Sequence, residues 1–593
     1  MARRTALIDV RARPGILTNG IVTNGIATTF EALAGSRNDA AVSVLARVLD
    51  SPSGPLAEKA IRALLARSGK ASQREILDRW LRLDVDLRRL ASERPGRLSA
   101  VSREALLGAD RRLSESAAAA ILECDDFEQF GLLARLVDDE RYPHADLVDE
   151  LIVELSDRLY DGATALDDYV RQRELQRVRT HAVDVLQPLA ERFADHGRRP
   201  AVEAFCSLVR RENTVLRRVL REPREASHEP MCDVLLNSPR VGVIHLLVSF
   251  LDDPYAPLSA LDILSRRYDR PFLRELTGRL AAPPQRAVVE NLRRLESIVW
   301  LGTDFAVIDD LDEISQAGAV RLAAASGMAR LDVLELLEHV LRYGNVGGRR
   351  AASNVLPGFD DPKATELLRS ALDDPDPQVQ ANVLAHLRPR NVQGALATLV
   401  AMVESPHDLV RQAAREGLEE FNFERFLRTF DTMDEDVRCT TGVLVKKVDP
   451  QALHDLAHEL SAMSRTRRIR ALAAAESMEA VVEMEELILT LLKDSDHMVR
   501  AAAAQALGDC PTTATRDALR EALIDRSVVV QEAAENSLFR LANQLRQSRG
   551  EQAVTTHNAI GAVETSQKSG RTYVLDRLSA DIVERLGLPQ ESS

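Results

Sequence analysis

The stretch from Gly318 to Asn543 repeats one pattern eight times, and that period restricts what the chain can fold into. Each copy has an apolar residue, usually followed by Arg, with small or apolar residues four and eight positions later. The apolar anchors are Val320, Gly348 (a degenerate copy), Val379, Val410, Val437, Ile469, Val499 and Val530, at spacings of 27 to 32 residues. A period of about 30 without strand-like alternation specifies stacked helix pairs. The expected class is all-α, an α-α superhelix. At 593 residues the chain exceeds what one compact core can serve. A solenoid has no such limit, because each repeat packs only on its neighbours.

The local chemistry of one copy shows why. Leu367, Leu368, Ala371 and Leu372 close a first helix. Asp373-Asp374-Pro375-Asp376-Pro377 is a turn, since Pro cannot continue a helix and Asp suits the cap of the next one. Val379, Val383, Leu384 and Leu387 then mark the buried face of a second helix. The same grammar covers Ser405-Pro406-His407-Asp408-Leu409-Val410, then Ala414 and Leu418. It returns at Asp494-Ser495-Asp496-His497-Met498-Val499, then Ala503 and Leu507.

The segment Asp496-His497-Met498-Val499-Arg500-Ala501-Ala502-Ala503-Ala504-Gln505-Ala506-Leu507-Gly508 resembles a HEAT repeat. The likeness is to the short bacterial sort related to the phycobilisome-lyase HEAT-like repeats. Asp408-Leu409-Val410-Arg411-Gln412-Ala413-Ala414 matches equally well. The resemblance is strong over 318–543 and weak over 30–317. It implies a HEAT-repeat solenoid whose second helices line a concave face. Such repeats bind proteins, nucleic acids or small ligands, so the name leaves function open.

Five segments are expected. Residues 1–29 read as a flexible N-terminal arm, with Asn-Gly turns at Asn19-Gly20 and Asn24-Gly25. Residues 30–317 read as divergent helical repeats with longer helices, an irregular N-terminal half. Residues 318–543 are the regular array. Residues 544–572, rich in Ser, Gln, Gly and Thr, read as a flexible linker. Residues 573–593 regain an apolar rhythm through Val574, Leu578, Ile582 and Leu586, expected as a C-terminal helix that caps the array, and a tail.

The formal net charge of −14 disfavours nucleic acid and anionic membrane as general partners. The longest apolar run, Val241 to Leu251, is too short to span a bilayer and fits a buried helix. Five scattered cysteines without Cys-x-x-Cys argue against a disulfide framework or zinc ribbon, and for a cytoplasmic chain.

The position after each anchor holds Arg321, Arg349, Gln380, Arg411, Arg438, Arg470, Arg500 and Gln531. One reading is a stripe for an anionic partner. The favoured reading is an Asp–Arg ladder, with Asp376, Asp408, Asp434 and Asp496 beside the row. The run Arg465-Thr466-Arg467-Arg468-Ile469-Arg470 lacks the acidic turn and is the densest basic segment. The candidate interaction surface is therefore Arg411, Arg415, Arg467, Arg468, Arg470 and Arg500. His454 and His458, four apart, could hold a divalent metal only adventitiously, since no third ligand announces itself. No Walker A loop or Gly-x-Ser-x-Gly occurs, and no catalytic residue, cofactor or metal site is assigned. His245 and His339 read as packed or surface histidines. The expectation is a non-enzymatic scaffold that binds one or more proteins. The alternatives are a nucleic-acid-binding HEAT-like protein, against which Trp80 and Trp300 lie outside the regular array, and an accessory lyase or chaperone for a cofactor-carrying protein.

Overall fold

The computed structural model describes residues 26–50, 54–67, 69–94, 96–164, 169–282, 284–302 and 304–557, with side chains for all but 169 and 545–557. The expected arm up to residue 25 and the expected segment 573–593 lie outside the described residues. Every regular element among those described is helical. The chain divides into two compact units, Met1–Val333 and Leu334–Ser593, a division that falls beyond the expected boundary at 317/318.

In the first unit, one row of helices packs side by side in chain order. Its members are Arg111–Glu123, Ala145–Thr164, Arg199–Leu208, Val241–Ser249, Arg270–Arg279 and Glu313–Ala325. The irregularity lies in length, since Ala145–Thr164 has 20 residues and Tyr169–Glu191 has 23. Val243, Ile244, Leu246, Leu247 and Val248 are all buried, as the apolar run demands. Close approach in this row requires glycine. A Cβ on Gly318 would stand 2.1 Å from the Thr277 carbonyl oxygen.

The second unit has two such rows. The helices Val346–Val355, Pro377–Leu384 and Asp408–Glu416 succeed one another in one row, as do Glu435–Val448, Arg465–Ser477, His497–Ala506 and Val528–His557. Phe423–Thr429, Ala452–Leu460, Glu485–Leu491 and Thr513–Ala522 form the other. A single apolar core runs between them from Leu384 to Leu541. Val379, Val410, Val499 and Val530 are fully buried, and Ala414, Ala503, Leu418 and Leu507 share that core or its continuation. The turn chemistry follows the sequence. Asp376 accepts from the Gln378 and Val379 amides with Pro377 at the first helical position, and Asp496 accepts from Met498.

Three expectations need correction. Residues 26–35 are helical, although the arm was expected to reach 29. Arg67 fixes the end of that helix by donating to the Leu33, Ser36 and Asn38 carbonyls, a long-range contact that local composition does not carry. The helix Val528–His557 runs on past Asn543 into the expected linker. Its continuation is polar but consists largely of good helix formers and contains no Pro, so polarity alone was misleading. Third, Ile469 is only partly buried and does not occupy the anchor position. Ala471, Leu472, Ala474 and Ala475 are buried as Ala503, Ala504, Ala506 and Leu507 are, so this copy is displaced by two residues and Arg467 stands where Val499 does.

Candidate interaction surface

From Arg349 onward the residue after the anchor is first of all a hydrogen-bond donor to its own turn, whereas Arg321 donates to the Leu280 and Ala281 carbonyls of an earlier element. Arg349 Nη1 donates to the Gly344 carbonyl at 2.9 Å, and Gln380 Nε2 to Asp374 at 2.8 Å. Arg411 Nη1 donates to Ser405 at 2.8 Å and Arg438 Nη2 to Met433 at 2.9 Å. Arg500 Nη1 reaches Asp494 at 2.9 Å and Gln531 Nε2 reaches Asp525 at 2.6 Å. In the displaced copy the donor is Arg468, to Ala462 at 2.8 Å, rather than Arg470. From Gly344 onward each acceptor lies five or six residues back, in the turn between paired helices, where the helical ladders leave carbonyls without partners. Gln serves as well as Arg in this role, which accounts for the two glutamines in the row.

Arginine adds a second bond, to the turn of the next repeat. Arg349 Nε meets Asp374 Oδ2 at 2.8 Å, Arg468 Nε meets Asp494 Oδ2 at 3.0 Å, and Arg500 Nε meets Asp525 Oδ2 at 2.8 Å. The ladder therefore exists, but its acids are Asp374, Asp494 and Asp525. The expected Asp376 and Asp496 cap helices and take Arg350 and Arg465 instead. Opposite the neutral Gln380, the next turn carries the neutral Ser405. Two further turns lack the acid, with Thr432 and Ala462 in place. There Arg411 pairs with Asp408 on its own helix, and the Arg438 guanidinium lies 4.4 Å from the centre of the Phe430 ring.

These bonds sort the six candidate arginines. Arg500 is 7% exposed and Arg468 is nearly as enclosed, so both belong to the interior of the stack. Arg467 pairs with Glu459 and Arg470 with Asp431, so the three arginines of one helical turn leave toward three different carboxylates. The missing acidic turn is supplied from neighbouring elements, which the linear sequence could not show. Arg467 holds the Glu459 carboxyl below the usual range, and Arg500 does the same to Asp525. Arg415 differs. Its half-buried guanidinium has no hydrogen-bond or ion-pair partner among the described residues.

His454 and His458 are exposed, and the adjacent Glu459 is held by Arg467. Trp80 and Trp300 are buried, which leaves neither ring available to stack on a base. One constellation was not visible in the sequence. Tyr160 Oη lies 2.6 Å from His245 Nδ1, and His245 Nε2 lies 3.4 Å from Glu275, joining three helices of the first unit. The hydrogen bond to His245 is the main reason the Glu275 carboxyl lies low. Separations of 85 and 30 positions give such a cluster no local signature.

A family profile described as HEAT repeats matches residues 333–419, one described as HEAT repeat matches 486–510, and one described as PBS lyase HEAT-like repeat matches 499–525. The chain carries HEAT repeats. The matched segments include the turns and donor residues of Arg349, Gln380, Arg411 and Arg500. Comparison with curated protein sequences gives no match. Among solved structures, human deoxyhypusine hydroxylase in complex with glycerol is 18% identical with a TM-score of 0.16, over 51% of this chain and 96% of that one. A mutant of Kap121p is 13% identical with a TM-score of 0.26, over 89% of this chain and 54% of Kap121p, so the match spans about half of that protein. Importin beta is 11% identical with a TM-score of 0.25, over 89% and 90%. At these identities and TM-scores the likenesses say nothing about what this HEAT-repeat chain binds.

Proposed function

We propose that this chain is a non-enzymatic, cytoplasmic scaffold or adaptor that binds other proteins along the turn edge of its second unit. The observation that supports this is a repeated exposed apolar residue. Leu409, Met498 and Val529 each immediately precede a fully buried anchor valine, and all three are exposed. Met498 and Val529 belong to consecutive repeats; the exposed Ile524 lies in the turn that leads into the helix of Val529, and the exposed Val528 opens that helix. Clustered apolar side chains rimmed by charge mark protein-binding surfaces. Most of the arginines nearby are committed to internal bonds, so contact there is apolar first. Arg415, with an unspent guanidinium, supplies a polar anchor on the same unit.

The test is crosslinking of the full chain in cells, read by mass spectrometry, beside a variant carrying Met498→Glu and Val529→Glu. The expected result is a reproducible set of protein crosslinks that the variant loses while keeping its circular dichroism. Unchanged crosslinks in a folded variant would move the surface elsewhere. A salt-dependent gel shift with DNA or RNA, in the absence of protein crosslinks, would replace the scaffold with the nucleic-acid reading.

A further inference from the structure

The turn Asp252 to Leu258 in the first unit is held from three sides. Asn291, itself buried, donates to the Leu251 carbonyl at 2.9 Å and to the Asp253 carbonyl at 2.8 Å. Arg221 Nη2 donates to the Tyr255 carbonyl at 2.9 Å, and Arg294 Nη2 donates to the Ala256 carbonyl at 3.2 Å. Two guanidiniums, one from the last residue of the helix Thr214–Arg221 and one from the turn after the helix Arg286–Leu292, thus converge on adjacent carbonyls of one turn. They flank an open cleft of about 760 Å³ whose walls include Pro254, Tyr255, Pro257 and Leu258.

The charge in this cleft is not balanced by the chain. Neither Arg221 nor Arg294 forms an ion pair with a carboxylate among the described residues. An arginine has five N–H donors. Arg221 spends one on the turn and Arg294 two, the second on Asn291. The one carboxylate in the lining, Glu290, is paired with Arg286 at 2.9 Å. Between the arginines the turn presents Tyr255 at 74% exposed and Leu258 at 72%, large apolar surfaces with nothing packed on them. A second open cleft shares Arg221 and Tyr255 and is lined also by Arg217, Arg218, Glu212 and Glu222, of which Glu212 pairs with Arg211. Arg217 and Arg218 are balanced by Asp253 and Glu191.

Two unspent arginines beside an exposed Tyr and Leu, in a cleft open along its length, suit an extended chain that alternates carboxylates with apolar side chains. We propose that this cleft binds an acidic, apolar-rich peptide segment of a partner protein. The proposal rests on the scaffold reading and adds to it the partner's chemistry and a place in the first unit. The carboxylates take the free donors of Arg221 and Arg294 in charge-assisted bonds, and the apolar side chains cover Tyr255 and Leu258. Because the turn is already fixed by Asn291, little ordering is left to oppose binding.

The experiment is fluorescence anisotropy of the full chain with a labelled nonapeptide alternating Glu with Leu and Phe, against its Lys counterpart. Saturable binding of the acidic peptide at least tenfold tighter than the basic one is expected. Arg221→Gln with Arg294→Gln should weaken it at least tenfold. Those arginines also hold the turn, so Leu258→Glu serves as the second variant. It sets a carboxylate in the cleft at a helix N-terminus, where it favours folding, and should abolish binding. Equal affinity for the two peptides, or full binding by the folded Leu258→Glu chain, overturns the proposal. Displacement by equimolar glutarate would reassign the cleft to a free dicarboxylate and overturn it as well. If the peptide fails while cellular crosslinks through the second unit persist, the cleft is wrong and the scaffold reading stands. If the crosslinks also vanish, both fall.

Discussion

Arg500 grips Asp525, 25 residues ahead, with two parallel hydrogen bonds, Nε to Oδ2 at 2.8 Å and Nη2 to Oδ1 at 2.9 Å. Its remaining nitrogen holds the Asp494 carbonyl behind it. One side chain therefore closes its own turn and fastens the next. The pair Gln380 and Ser405 shows the same site without charge. Arg500→Gln alone should keep the turn bond but strand Asp525, at a cost of about 2–4 kcal/mol. Adding Asp525→Ser should recover much of that loss, giving a coupling energy of about 1–3 kcal/mol in a denaturant double-mutant cycle. Additive single effects would show that the two residues act independently.

Ala462 stands, buried, where Asp374, Asp494 and Asp525 stand in other repeats. Ala462→Asp should offer Arg438 the carboxylate it lacks and raise stability by about 0.5–1 kcal/mol, a modest gain because desolvation of the new carboxylate offsets part of the pairing. Thermal unfolding at low and high salt checks this. The gain should shrink with salt.

The eight-fold period, the Asp and Pro turns and the small-residue core were legible because each rests on local chemistry: helix periodicity, capping and the lost N–H of Pro. The bonding of the Arg row was legible only in outline. An Asp–Arg ladder follows from composition, but Asp374 receives Arg349, while Asp376 caps its helix and takes Arg350. The partners of Arg467 and Arg470 come from neighbouring helices, so the sequence made these side chains look free. The displaced copy is hidden for a related reason: Ile469 is the apolar residue nearest the expected anchor, while burial begins at Ala471.

Gly318 is where one helix backbone meets another. Gly318→Ala would drive a methyl into the Thr277 carbonyl and should cost at least ~1–3 kcal/mol. Gly131 is the control. A Cβ there meets nothing within 4 Å, so Gly131→Ala should be neutral or add about 0.5–1 kcal/mol through helix propensity. Equal effects at the two sites in chemical denaturation would contradict the close approach.

Burial, with a smaller contribution from the Asp509 charge, pushes the Glu476 carboxyl up to about 7. Its unfolded value is about 4.3. Between those two values the folded chain keeps a proton that the unfolded chain has lost, so this group makes stability fall as pH rises through that window. Glu476→Gln should remove that slope. It should stabilise the chain at pH 8 by on the order of 1–3 kcal/mol and give no gain at pH 4, as urea midpoints at the two pH values will show.

The row that fastens repeat to repeat is uneven, and the unevenness has a mechanical meaning. The bonds of Arg349, Arg468 and Arg500 each carry load across a repeat boundary, whereas Gln380, Arg411 and Arg438 close only their own turns. A chain drawn out by its ends in an optical trap should therefore yield first between Pro377 and Ser464, with the segments on either side of that span in the second unit giving way at higher force. The middle of the array is its spring, and the arginines decide where the spring begins.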